Sequence, residues 1–243
     1  MLRTTVVLAA LAVVAHGLFE IPAQFMSEEV LMAKFPVVSN AAASTKCNTI
    51  EFKACQTEFD RHLNLGDQEK PWTWRNSTLL MRQIKRLLMS ENFQNYVNVC
   101  QARQGFYSCL GAKYGACVNR YFLLGQSGAD WKTVMTYIQI FEHLDFICNA
   151  GFELAQSNWL CIARTVKQMD AELTKCKTDF LNAGDGDHWQ HLCAPNYVPK
   201  YSACVQNVFK AGCGSEVGWY GCQDTLVSFR QDCRNSIFRC HPN

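Results

Sequence analysis

Apolar residues recur along this chain at intervals of three and four, the spacing that marks one face of an α-helix. Leu80, Ile84, Leu87 and Leu88 form such a stripe, and Phe93, Val97 and Cys100 continue it after a break expected near Ser90. Val134, Ile138, Phe141, Leu144 and Cys148 form a second. A third runs through Ile162, Val166, Met169, Leu173, Cys176 and Phe180, at offsets that a strand of period two cannot use. The fourth is Cys222, Leu226, Phe229, Cys233, Ile237 and Cys240. Shorter stripes contain Phe52, Cys55, Phe59 and Leu63, and Tyr201, Cys204, Val205 and Val208. No segment alternates convincingly at period two. The pattern predicts an all-α fold, a disulfide-rich helical bundle.

Fourteen cysteines change the picture most: Cys47, Cys55, Cys100, Cys109, Cys117, Cys148, Cys161, Cys176, Cys193, Cys204, Cys213, Cys222, Cys233 and Cys240. Residues 1–17 read as a signal peptide, with Arg3 at a positive start, the apolar run Val6 to Val14, and small residues at Ala15 and Gly17. Every cysteine lies beyond that segment. An oxidising route and an even count predict seven disulfides, and no Cys-x-x-Cys pair suggests zinc or redox exchange. The cysteines share the inward stripes with Leu, Phe and Val, so they are expected to staple helices together. Positions seven to nine apart on one helix are separated by roughly 10 to 13 Å of rise, whereas bonded cysteines need Cα atoms within about 7 Å. Cys47 with Cys55, Cys109 with Cys117, Cys204 with Cys213, and Cys233 with Cys240 should therefore not pair, provided each segment stays helical. The remaining connectivity stays open.

A weak internal repeat is present. Cys55-Gln-Thr-Glu-Phe59 is echoed by Cys176-Lys-Thr-Asp-Phe180, and Cys100, Tyr107-Ser108-Cys109 and Cys117 by Cys193, Tyr201-Ser202-Ala203-Cys204 and Cys213. Cys47 and Cys148 then align with Cys161 and Cys233, leaving Cys222 and Cys240 unmatched. The expected organisation is two repeated helical units packed together, 47–155 and 156–243. Residues 18–46 are expected to be a mobile N-terminal arm, with a short amphipathic piece around Val30, Leu31 and Phe35 that Ser27 caps.

Charge says little about partners. Without Arg3, the chain carries 22 basic and 21 acidic residues, so nothing predicts capture of nucleic acid. No later apolar run is long enough to span a membrane. Asn76-Ser77-Thr78 is a sequon, which makes Asn76 the candidate glycosylation site of a secreted glycoprotein. Asp185-Gly186-Asp187-His188-Trp189-Gln190-His191 gathers metal-ligating side chains, but turn and helix-capping chemistry explains it more simply. Ser127-Gly128 is a lone match to a glycosaminoglycan acceptor and reads as a turn. Trp72 or Trp74 is expected to fold onto the helix beginning near Ser77. With thiols oxidised and histidines scattered, no acid, base and nucleophile set emerges, so no enzyme activity, metal or cofactor is predicted.

The spacing from Phe93 to Cys100, through Cys109 and Cys117, to Phe141-Glu142-His143-Leu144-Asp145-Phe146-Ile147-Cys148 and Trp159-Leu160-Cys161-Ile162, resembles the chondroitin proteoglycan 4 domain. That is a nematode secreted cysteine-rich domain, and a related nematode domain of unknown function has a similar ladder. The resemblance implies an extracellular, non-enzymatic helical module of matrix or eggshell. The expected function is surface interaction with an extracellular protein or glycan. The alternative is a carrier enclosing a lipid or small apolar ligand between helices.

Overall fold

Residues 19–35, 46–64, 74–234, 236 and 238–242 are described by the structure, a computed structural model. The signal-peptide expectation, Trp72 and residues 36–45 lie outside them. Among the described residues every regular element is helical, as the stripes predict. α1 (Pro22–Phe25) and α2 (Glu28–Lys34) come first, followed by α3 (Thr49–His62), α4 (Ser77–Leu88), α5 (Phe93–Leu110) and α6 (Tyr114–Cys117). α7 (Arg120–Leu124), α8 (Trp131–Ile147), α9 (Phe152–Gln168), α10 (Asp170–Gly186), α11 (Val198–Cys213) and α12 (Ser215–Val227) complete the order. Side-chain oxygens of Ser27, Asn48, Asn92, Asn119 and Asp130 accept from the free N–H groups that open α2, α3, α5, α7 and α8.

Helix α8 is the axis of the fold. Twelve of its 17 residues are buried, and α1, α2, α4, α5, α7, α9 and α12 all pack on it. The second half closes through a helical hairpin of α11 and α12. Gly214 makes the turn at φ +91°, a region closed to most side chains. Gly221 lets the helices touch, because a Cβ there would stand 2.4 Å from the Phe209 ring.

Two stripes predict longer helices than exist. The third is broken at Met169 (φ −112°, ψ 30°), where α9 ends and α10 begins. Asp170 and Glu172 fall in the first turn of α10, where acidic side chains favour a helix start, and Ile162, Val166, Leu173 and Phe180 still face the core. The fourth stops at Val227. On a continuous helix Cys222 and Cys240 would lie about 27 Å apart, yet they are bonded with Cα atoms 5.9 Å apart, so the chain turns back.

All fourteen cysteines are paired. The first six bond as Cys47–Cys117, Cys55–Cys109 and Cys100–Cys148. The next set bonds as Cys161–Cys213, Cys176–Cys204 and Cys193–Cys233. Under the alignment of the repeat, both sets follow one order: first to fifth, second to fourth, third to sixth. The two unmatched cysteines pair with each other. None of the four local pairs expected to be absent is formed.

The N-terminal segment differs from the expected mobile arm. Phe19, Ile21, Ala23, Met26, Leu31 and Phe35 are all buried. Ala23 N–H donates to Gln139 Oε1 (2.9 Å) and Gln24 Nε2 to Thr136 Oγ1 (2.6 Å), which fastens α1 along α8. Phe25 meets Phe180 edge-on, and Phe35 packs on Phe229. Glu20 pairs with Lys85 of α4 (2.5 Å) and Lys177 of α10 (3.5 Å). Residues 19–35 thus form a strap across both halves. The short piece capped by Ser27 is present as α2.

Candidate functional site

Two arrangements bring chemically capable side chains together. The first is in the core, where His143 on α8 stands between Asp224 on α12 and Ser228 just beyond it. His143 Nδ1 is 2.8 Å from Asp224 Oδ1, and Nε2 is 2.5 Å from Ser228 Oγ. A neutral imidazole satisfies both contacts if Nδ1–H donates to the carboxylate and Nε2 accepts the hydroxyl proton. Asp224 Oδ2 accepts the Phe19 N–H (3.0 Å), and the Phe19 ring meets the imidazole edge-on at 5.2 Å. The sequence signals for this set are weak, since His143 falls within the second stripe and Asp224 and Ser228 within the fourth, 81 and 85 residues away. All three are buried, and none lines either cleft described below. The set therefore has the chemistry of a satisfied polar core, tying strap, α8 and α12 together.

The second arrangement is a cleft of about 620 Å³ where the two halves meet. Phe146 of α8, Val198 of α11, and Trp219, Leu226 and Val227 of α12 give it an apolar wall, and Phe238 closes it. Phe146 and Trp219 meet edge-on at 6.1 Å. Arg230, Arg234 and Arg239, on the segment that leaves α12, supply positive charge. Arg239 Nη1 donates to the Ser236 and Phe238 carbonyls, each at 2.8 Å.

Two carboxyls face the same space. Burial pushes Glu142 up to about 8, against the pull of Arg120, and Gln231 Nε2 donates to it at 2.6 Å. Asp145 is raised by burial and lowered by Arg103, whose Nε donates to it at 2.8 Å. Arg120 also pairs with Asp232 at 2.9 Å, which ties α7 to the C-terminal segment behind the cleft. Read as a helix, the fourth stripe already puts Arg230 and Arg234 on one face, at i and i+4, but nothing in it shows that Phe146 and Trp219 stand beside them.

The remaining sequence candidates are dispersed. Asn76 is half-buried at the start of α4 and lines a second cleft of about 890 Å³, with Ile50, Phe122 and the buried Trp74. Arg75 stacks over Trp74 at 4.1 Å and donates to the Ser127 carbonyl at 3.0 Å. Ser127 itself is exposed beside Gly128 (φ +72°) in the turn before α8. Asp185 accepts from Trp189 Nε1 at 3.0 Å, and Asp187 engages Tyr197 and His191. These are turn contacts, and among the described residues no three His, Cys, Asp or Glu side chains are grouped to hold a metal ion.

No family model, curated protein or solved structure matches this chain.

Proposed function

We propose that the chain is a secreted, non-enzymatic helical module that acts by binding, with the cleft between its halves as the binding surface. The observation that carries this reading is the cleft itself: an apolar wall and convergent cations in a concavity within the roughly 300 to 1,000 Å³ range of ligand sites. Seven disulfides fit an oxidising compartment. Among the described residues no helix is long and apolar enough to cross a membrane. The shared disulfide order supports reading 47–155 and 156–243 as copies of one unit. The resemblance to the chondroitin proteoglycan 4 domain belongs to this proposal, as a matrix setting, and so does an N-glycan on Asn76. A non-catalytic role is supported by the closed environment of His143, Asp224 and Ser228.

Expression of the full chain in a secretory cell line tests the reading. The expected product is found in the medium, lacks residues 1–17, takes up no alkylating reagent before reduction, and loses mass on glycosidase treatment. Intact-mass spectrometry reads all four. Retention inside the cell with native thiols that alkylate would overturn secretion and full pairing together. The carrier alternative is favoured by the apolar wall of the cleft.

A further inference from the structure

We infer that the cleft takes a single-chain amphiphile with an anionic head, a long-chain carboxylate being the simplest member. This rests on the reading of the cleft as the binding surface. The tail lies against Phe146, Trp219, Leu226 and Val227, and the head meets Arg230, Arg234 and Arg239.

Charge complementarity decides the class. The Arg230 and Arg234 side chains are exposed, and neither guanidinium makes a hydrogen bond with a described residue. The carboxylates that face these arginines are already paired: Asp145, which Arg230 also faces, with Arg103, and Asp232, which Arg234 also faces, with Arg120, while burial pushes Glu142 up to about 8. The cleft therefore has surplus positive charge at one side and an apolar wall at the other. A neutral lipid leaves the guanidiniums unused, a cationic one is repelled, and a sulfated glycan leaves the apolar wall in water. Guanidinium forks suit the planar, two-oxygen head of a carboxylate.

Calorimetry with three twelve-carbon probes tests this on the full secreted chain: dodecanoate, dodecanol and dodecyltrimethylammonium. Dodecanoate is expected to bind one per chain, about tenfold or more tighter than dodecanol, with the cation weakest. R230E/R234E should lower dodecanoate affinity by about tenfold or more, while R86E, a charge reversal on α4, should not. Circular dichroism confirms that both variants stay folded. Equal affinity for dodecanoate and dodecanol, or dodecanoate binding untouched by R230E/R234E, overturns the anionic class. Saturable binding of chondroitin sulfate with none of dodecanoate overturns it as well. A diazirine-bearing dodecanol separates the two levels. Crosslinks within 219–239 sustain the cleft as a binding surface even if the charge preference fails, and crosslinks confined to other peptides overturn both.

Discussion

Replacing Leu31 with alanine distinguishes a packed strap from a tethered arm. Leu31 is 0% exposed, whereas its neighbour Met32 is 53% exposed on the same short helix. A buried Leu→Ala change removes transfer free energy and leaves a cavity, at a cost of about 2 to 5 kcal/mol. Removing the exposed Met32 side chain should change stability by no more than about 0.5 kcal/mol. In a chain of this size each kcal/mol shifts Tm by about 2 to 4 °C, so a mid-range loss near 3 kcal/mol lowers it by about 6 to 12 °C. The assay is guanidinium and thermal unfolding followed by far-ultraviolet circular dichroism, with disulfides intact, for wild type, L31A and M32A. Equal midpoints for the two variants would refute the assignment of residues 19–35 to the core.

Four further outcomes follow from the geometry. With the nested Cys55–Cys109 bridge still closed, Cys47–Cys117 closes an effective loop of roughly 16 residues, close to the 18-residue separation of Cys222–Cys240, so loop closure predicts that removing either bridge costs about 3 kcal/mol; similar denaturant midpoints for the two double serine variants check it. Glu142 holds a proton in the fold up to about pH 8, above its ordinary value of 4.5. Wild type should therefore lose stability relative to E142Q as pH rises from about 4.5 to about 8 and run parallel to it outside that window, as Tm against pH will show. G221A drives a methyl into Phe209 and should cost about 1 to 3 kcal/mol, whereas G105A, with nothing within 4 Å of the new Cβ, should stabilise α5 by about 0.5 to 1 kcal/mol in the same melts. D224A strips the acceptor from His143 and from the Phe19 N–H, each loss costing about 1 to 3 kcal/mol; a melt matching wild type would contradict the core role given to that carboxylate.

Periodicity made the long helices legible. Leu80, Ile84 and Leu88 are buried on α4, and Val134, Ile138, Phe141 and Leu144 on α8. The four local cysteine pairs are absent as expected, but only Cys204 and Cys213 lie on one unbroken helix, so helix rise accounts for that pair alone. Two kinds of information were missing. The strap has no sustained period, because Phe19 and Ile21 dock through an irregular backbone and α1, which carries Ala23, is only four residues long; its burial is set by surfaces far along the chain. The end of α12 was hidden because 18 residues of helical spacing and a chain that folds back to bond Cys222 with Cys240 give the same stripe. Of the cleft, the meeting of Phe146 with Arg230 and Arg234 depends on that turn. The core histidine was likewise invisible, since its partners lie 81 and 85 residues away.

The disulfides also partition the chain. Three close within residues 47–148 and four within 161–240, and none links one group to the other. A single proteolytic nick in the turn between α8 and α9 consequently yields two polypeptides with no covalent bond between them. Their cohesion then rests on the strap, the α8 seam and the Arg120–Asp232 pair. Denaturant without reductant would then separate the pieces, each still holding its own bridges.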